Sequence, residues 1–165
     1  MKKQYDKACA TGAKYVSIDL LLEIMEEGLA GGQTVEIMPR GISMRPFIRE
    51  GRDSVILTAS GKENLKKHDV ALYRRADGSV VLHRVARVTD LGYTMIGDAQ
   101  FVYENGVSAE AVIAKVVATR RAGRVISENS SLHRCAVALW YGIRPVRKFF
   151  RRVRRRIKSI LKRIF

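Results

Sequence analysis

The sequence is poor in the residues that define several protein classes. Among its 165 residues there are only two cysteines, Cys9 and Cys135, and three prolines. Two cysteines are too few for the disulfide scaffold of a small secreted domain. Thirteen glycines with three prolines also exclude a collagen-like or proline-rich chain. We therefore expect a globular protein of a reducing compartment.

Long apolar runs are missing as well. The best candidate, 135–143, is nine residues long, whereas a membrane-crossing helix needs roughly 18. Residues 1–14 are polar and lack the apolar core of a secretory signal. We therefore expect neither a signal peptide nor a transmembrane span, and a cytoplasmic location.

Charge is distributed unevenly along the chain. The net charge of +15 comes from 31 Lys and Arg against 16 Asp and Glu. Residues 142–165 hold 11 basic and no acidic residues, which leaves 20 basic against 16 acidic, or +4, for residues 1–141. Because 47% of the chain is hydrophobic, the sequence predicts an ordinary packed domain that carries a strongly basic tail.

Hydrophobic periodicity changes along the chain. Ile18, Leu21, Leu22 and Met25 recur at helical spacing, which predicts a short amphipathic helix over Ser17–Gly28. After it come six short apolar runs separated by Gly, Asp or Asn, typical of a compact, mostly antiparallel β domain. The runs are Val35–Met38, Ser54–Thr58, Asp69–Tyr73, Val80–Val88, Tyr93–Ile96 and Val112–Thr119. Between the third and fourth runs, 76–78 (Ala-Asp-Gly) predicts a hairpin turn.

The carboxyl-terminal part predicts a connector over 120–131 and then helix from about Leu132, interrupted near 142–145. Beyond the interruption, apolar residues recur every three or four positions with Arg and Lys between them. These apolar residues are Val146, Phe149, Phe150, Val153, Ile157, Ile160, Leu161 and Ile164. We thus predict a mainly β fold in three parts: an N-terminal helical segment (1–34), a β domain (35–122), and a connector with basic amphipathic helices (123–165).

Two residues of the predicted β domain could carry chemistry. Ser43 lies in a turn between Gly41, which permits a sharp backbone, and Pro46, so its hydroxyl would be presented at a strand end as a nucleophile requires. His83 shares a strand face with Val81 and Val85, and partial desolvation would keep the ring neutral and able to accept a proton. Each also has a structural interpretation: a serine that satisfies its own turn, and a histidine of the core.

Considered together, five motifs resemble the signal peptidase and self-cleaving repressor superfamily of serine peptidases. The match covers about 35–120, a little over half of the chain. The motifs stand in the family's order and spacing at 41–46 (Gly-Ile-Ser-Met-Arg-Pro), 51–55 (Gly-Arg-Asp-Ser-Val), 68–73 (His-Asp-Val-Ala-Leu-Tyr), 82–85 (Leu-His-Arg-Val) and 96–100 (Ile-Gly-Asp-Ala-Gln). The resemblance implies the family's small β fold and a serine endopeptidase that cleaves a peptide or pro-peptide.

The resemblance also implies roles for single residues. Ser43 corresponds to the nucleophile and His83 to the general base, which is Lys in the bacterial signal peptidases and His in the endoplasmic-reticulum and archaeal types. Asp98 is the first choice for an acid that orients the imidazole, and Glu104 is the alternative, because His-type enzymes often place an acid about six residues beyond the Gly-Asp pair.

Two departures from the family pattern bear on activity. Gly41 stands where signal peptidases often carry a Ser or Thr hydroxyl that helps to bind the oxyanion, so the backbone N–H of Ser43 would be the main donor. The amino-terminal membrane anchor of a signal peptidase is not found either. A catalytically weak or inactive module that binds a peptide or a membrane therefore remains an alternative. Self-cleavage is disfavoured, because no helix-turn-helix pattern precedes the domain.

The basic tail predicts a partner. A helix with cations on one side and apolar side chains on the other suits the surface of an anionic membrane, and Trp140 and Tyr141 suit the headgroup boundary. Packing on a partner and binding of nucleic acid are the alternatives, the latter less favoured because the apolar stripe exceeds what phosphate contact requires. The candidate binding residues are Arg147, Lys148, Phe149, Phe150, Arg151, Arg152, Arg154, Arg155, Arg156, Lys158, Lys162 and Arg163. We predict no cofactor and no metal, because no three potential ligands have zinc spacing.

Overall fold

A computed structural model describes Glu23, residues 27–29 and residues 31–164, with side chains as far as Ile157. Most of the predicted helix Ser17–Gly28 lies outside these residues. From 31 onward the chain builds a β-sheet first and two helices after it.

The described residues form one antiparallel sheet of eight strands, which confirms the predicted mainly β fold. The strands are β1 (Val35–Ile37), β2 (Asp53–Thr58), β3 (Val70–Arg74), β4 (Val80–Thr89), β5 (Gly92–Ile96), β6 (Glu104–Val107), β7 (Val112–Arg121) and β8 (Arg124–Ser127). The order across the sheet is β1-β2-β7-β3-β4-β5-β6, and β8 also pairs with β7. The sequence predicted six of these strands and missed β6 and β8, which have only 4 residues each.

Apolar side chains pack on both faces of the sheet. In β3, Val70 and Leu72 join one buried cluster while Ala71 and Tyr73 join the other, as the alternation of side chains along a strand requires. Because both faces of this central strand are covered, polar groups on it and on the neighbouring β4 are drawn into the core.

The predicted hairpin turn is confirmed. Gly78 adopts a left-handed conformation with φ +82°, and the Asp77 carboxylate accepts a hydrogen bond from the Ser79 N–H at 2.9 Å. The turn sets the register of β3 against β4, in which Ala71 lies opposite His83. A tight turn thus fixes the position of His83, which lies 40 residues beyond Ser43 in the chain.

Two helices follow the sheet: α1 (Ser131–Gly142) and α2 (Arg144–Ile164). Ser130 caps α1 by accepting a hydrogen bond from the His133 N–H at 3.2 Å. The break between the helices lies where the sequence predicted it. In the part of the chain that the structure describes, no helix has the length and apolar content to cross a bilayer.

Candidate active site

Ser43 lies in the loop that joins β1 to β2, and several contacts fix this loop on the domain. Gly41 has φ +98°, a conformation that disfavours every residue with a side chain, and its N–H donates to the Glu50 carboxylate at 3.0 Å. The side chains of Met44 and Ile48 are buried in the first core cluster. These contacts hold the loop on the core, and Ser43 itself is half-buried.

A buried carboxylate anchors the far end of the same loop. Asp53 is fully buried and accepts hydrogen bonds from the Arg49 N–H at 2.9 Å and from the Arg121 guanidinium at 3.0 Å. Arg121 also donates to the carbonyl of Phe47 at 2.6 Å. Although burial alone would raise the pKa of Asp53, the hydrogen bonds from Arg52 and Arg121 lower it to about 2. The anchor is therefore charged across the physiological range.

Ser43 lies directly against Gly97, the residue that follows β5. The carbonyl of Ser43 accepts a hydrogen bond from the Ala99 N–H at 2.8 Å. A Cβ built on Gly97 would lie 2.7 Å from that carbonyl oxygen and 3.0 Å from the Cβ of Ser43. No side chain fits in this space, so the glycine permits the close approach of the two segments.

His83 is on the strand next to Gly97. The register pairs Arg84 with Ile96, so that His83 and Gly97 occupy the adjoining positions at the end of the β4–β5 ladder. Ser43 and His83, 40 residues apart in the chain, are thus brought to the same glycine. Within the described residues no hydrogen bond joins the Ser43 hydroxyl to His83, and the Ser43 N–H also donates to no acceptor there.

The ring of His83 is oriented from one side. Its Nδ1 lies 3.2 Å from the Tyr73 hydroxyl and 3.3 Å from Glu104 Oε1, while that hydroxyl donates to Glu104 Oε2 at 2.7 Å. The Glu104 carboxylate can only accept, and the Tyr73 hydroxyl already donates its proton to Glu104. Nδ1 of His83 must therefore be protonated and donate to these two groups. The other nitrogen, Nε2, is left unprotonated, which is the tautomer of a general base.

Burial keeps the ring of His83 neutral. Burial lowers the pKa of His83 below its ordinary value, although the nearby Glu104 carboxylate opposes the shift. Only 2% of the residue is exposed. Among the described residues, Nε2 has no hydrogen-bond partner, so it is the acceptor of the imidazole that is not already used.

Glu104 is held in place by Arg75. The guanidinium donates from Nε to Glu104 Oε2 at 2.8 Å and from Nη2 to Oε1. The hydrogen bond from Arg75 is the main reason that the pKa of Glu104 lies below its ordinary value. The carboxylate beside His83 is therefore charged, half-buried and fixed by hydrogen bonds from Arg75 and Tyr73.

Asp98, the first choice for the orienting acid, makes different contacts. Arg84 binds its carboxylate with two parallel hydrogen bonds of 2.8 and 2.9 Å, and the Tyr141 hydroxyl donates to it at 3.0 Å. No hydrogen bond or ion pair joins Asp98 to His83 within the described residues. The geometry thus favours the alternative, Glu104, for the third position of a triad, and assigns Asp98 to a separate buried network.

The second network is centred on Arg84, which is 1% exposed. Besides Asp98, its guanidinium donates to the carbonyl of His68 at 2.8 Å and to Glu128 at 3.2 Å, and it lies 5.5 Å from the ring centre of Phe47. Burial alone would lower the pKa of Arg84, yet Asp98 and Glu128 raise it. All three nitrogens of the guanidinium are used, so this network is structural.

Both helices contact the main chain at Asp98. The indole of Trp140 donates to the carbonyl of Asp98 at 2.8 Å, and Arg147 donates to that carbonyl at 3.2 Å while lying over the Trp140 ring at 3.5 Å. Trp140 and Tyr141, which the sequence suggested for a headgroup boundary, are half-buried and both hydrogen bond to Asp98. Arg147, a candidate for binding a membrane or a partner, also contacts the domain.

Sequence reasoning missed Tyr73, Arg75 and Glu128. A signal existed for Tyr73, because counting back from the predicted turn places it on the His83 side of β3. Arg75 and Glu128 gave none, since both act through side chains that reach across strands.

The described residues contain no cluster of three or more potential metal ligands. Neither a scan of protein-family models nor a search of curated proteins gives a match to this chain.

Proposed function

We propose that this protein is a serine endopeptidase in which Ser43 is the nucleophile, His83 the general base and Glu104 the acid that orients it. The observation that supports the proposal best is the asymmetry of the His83 ring. Nδ1 is held by Tyr73 and Glu104, and Nε2 is left free on a strand position that adjoins Gly97 and, through it, Ser43.

In the proposed acylation step, His83, Ser43 and Glu104 each have a defined role. Nε2 of His83 takes the proton of the Ser43 hydroxyl as Oγ bonds to the carbonyl carbon of the scissile peptide bond. The N–H of Ser43, which donates to no acceptor among the described residues, donates to the oxyanion that forms. The protonated ring, stabilised by the charge of Glu104, then gives its proton to the amine as the C–N bond breaks. The amine leaves and an acyl ester remains on Ser43.

Deacylation uses the same groups with water as the nucleophile. His83 takes a proton from the water as its oxygen bonds to the ester carbon, and returns a proton to Oγ as the C–O bond breaks. The products are two peptides and the regenerated enzyme, so no cofactor is needed.

An extended peptide has a binding edge beside the nucleophile. Strand β1 (Val35–Ile37) pairs with β2 alone in the described sheet, and the chain continues from β1 directly into the loop that carries Ser43. A substrate strand that adds to β1 would gain main-chain hydrogen bonds and carry its scissile bond toward that loop.

The second candidate function is a peptide-binding module without productive catalysis. Two observations favour it: no hydrogen bond joins Ser43 to His83 in the described residues, and Gly41 provides no hydroxyl for the oxyanion. Unliganded peptidases often have loose catalytic hydrogen bonds that tighten when substrate binds, so we place this candidate second.

A serine-reactive fluorophosphonate and a peptide library distinguish the two. We expect the wild-type protein to be labelled at Ser43 and to cleave peptides, and we expect both activities to be lost in Ser43→Ala and His83→Ala. Ser60→Ala is the matched control, since Ser60 is exposed and its hydroxyl makes no hydrogen bond to the described residues. A well-folded wild-type protein that is neither labelled nor active would favour the binding module.

A further inference from the structure

The distal part of α2 presents an apolar stripe that the domain does not cover. Phe149 and Phe150 are 62% and 65% exposed, and Val146 and Ile157 are 54% and 51% exposed. At 3.6 residues per turn these side chains and Val153 fall within an arc of about 120° on one side of the helix. In the sequence, Ile160, Leu161 and Ile164 continue the same stripe.

The rest of the helix surface is rich in cations. The helix holds 11 Lys and Arg and no acidic residue. Over 144–157, where its side chains are described, no cation forms an ion pair with a described carboxylate. The salt bridges of the described residues lie on the sheet, in the loops and at the start of α1. Arg154 and Arg156 flank the apolar stripe on its two sides and are exposed.

Only the first turns of the helix are attached to the domain. Arg144 donates to the Tyr103 hydroxyl at 2.7 Å, and Arg147 and Arg151 lie 5.5 and 5.0 Å from the ring centre of Phe101. Beyond Arg151 no hydrogen bond or ring contact joins a described side chain of the helix to the sheet. The attached turns contact the 98–104 segment, which also carries Glu104.

We infer that residues 146–164 of α2 bind the surface of an anionic bilayer, with the apolar stripe inserted at the headgroup level and the flanking cations on lipid phosphates. An anionic membrane matches both features at once, because it takes up apolar side chains and attracts cations. Nucleic acid would leave Phe149 and Phe150 in water, and a second copy of the helix would bring like charges together. The candidate active site would then work beside the membrane surface.

Cosedimentation of the full chain with vesicles tests this inference. At physiological salt we expect vesicles of phosphatidylcholine with about 30% phosphatidylglycerol to be bound at least roughly tenfold more tightly than phosphatidylcholine alone. Phe149→Ser/Phe150→Ser keeps the charge and should weaken binding to anionic vesicles about tenfold or more. Arg154→Gln/Arg156→Gln should weaken it as well, at roughly fivefold per residue.

Arg74→Gln/Arg124→Gln is the matched charge control, because both residues are exposed on the sheet and neither forms an ion pair with the described residues; its binding should change little. Ser43→Ala should bind vesicles like the wild type, so the vesicle result can be interpreted even if the peptidase proposal fails. Unchanged thermal unfolding would show that each variant keeps its fold.

Three results would overturn the inference. The first is no binding to either vesicle by the folded protein. The second is tighter binding of a labelled RNA or DNA at the same salt, with the two Phe substitutions having no effect. The third is a dimer that these substitutions dissociate, without vesicle binding.

Discussion

His83 and Arg84 are neighbours on β4, both nearly fully buried, and yet they lie in networks of opposite character. Arg84 points to one face of the sheet, where every nitrogen of its guanidinium is hydrogen bonded. His83 points to the other face, where Nδ1 is held and Nε2 is not. A complete buried network stabilises a fold, whereas an oriented ring with one free acceptor can take up a proton. The two networks differ in whether every polar atom is hydrogen bonded, more than in burial or charge.

The largest expected effect comes from breaking the complete network. Arg84→Met leaves the buried carboxylates of Asp98 and Glu128 without their cation, so we expect the free energy of unfolding to fall by about 3–5 kcal/mol. Urea unfolding followed by circular dichroism measures it. Arg74→Met, an exposed arginine on the neighbouring strand, should change stability by less than about 0.5 kcal/mol. Similar losses in both variants would show that Arg84 is not a structural centre.

Breaking the incomplete network around His83 should reduce activity more than stability. Glu104→Gln removes the charge beside Nδ1 and offers an amide N–H that favours the wrong tautomer, so we expect kcat/KM to fall roughly 100-fold or more. Because Glu104 raises the pKa of His83, any residual activity should have its acid limb at lower pH than the wild type.

Asp98→Asn is the comparison for that experiment. It should lower stability through Arg84 and move the acid limb to lower pH by less than Glu104→Gln does, because Asp98 raises the pKa of His83 less than Glu104 does. If Asp98→Asn moved the acid limb and Glu104→Gln did not, Asp98 would be the orienting acid after all.

The contact between the Ser43 loop and β5 predicts a loss of activity no larger than that of Glu104→Gln. In Gly97→Ala the new methyl group would meet the Ser43 carbonyl at 2.7 Å, so the loop must shift away from His83. A displacement of about 1 Å can reduce the rate about 100-fold, and steady-state kinetics with a cleaved peptide would measure it. Gly142→Ala, where an added Cβ meets nothing within 4 Å, should keep full activity. Normal activity of Gly97→Ala would mean that the loop position is not critical.

The smallest expected effect is on stability as a function of pH. The pKa of buried His83 lies below its ordinary value of 6.5, so below about that pH the unfolded chain binds a proton more readily than the folded one. His83 therefore makes stability fall as the pH drops from 7 toward 5. Thermal unfolding should show a shallower pH dependence for His83→Gln than for the wild type. An equal slope in both proteins would mean that another group, such as the half-buried His68, dominates.

The two networks also show which parts of the site could be predicted from the sequence. Apolar alternation predicted six strands, and the motifs predicted Ser43 and His83 as a pair. The choice between Asp98 and Glu104 depends on the register of β4 against β5, which contains an irregularity between Val85 and Arg87. This register puts Asp98, two residues beyond Ile96, on the Arg84 side, and no local pattern contains that information.

Prediction of the two carboxyl-terminal helices was limited in the same way. Periodicity predicted the helices and their break, but whether a side chain faces solvent or the domain depended on tertiary contacts. Trp140 and Arg147 have the composition of a membrane-binding segment, and both also donate hydrogen bonds to the carbonyl of Asp98. The polar segment that contains Glu128 was predicted as a connector, because the arginine that draws this residue inward lies 44 positions away.

The most direct measurement of the central claim is the distance between Ser43 Oγ and His83 Nε2 in a crystal of the protein labelled with a fluorophosphonate. We expect the phosphorus to be bonded to Ser43 Oγ, and Nε2 to lie within about 3.2 Å of that oxygen or of a phosphonate oxygen, while Nδ1 remains on Glu104. An adduct on Ser43 in which His83 stays out of reach, with another side chain in its place, would contradict the assignment of His83 as the base.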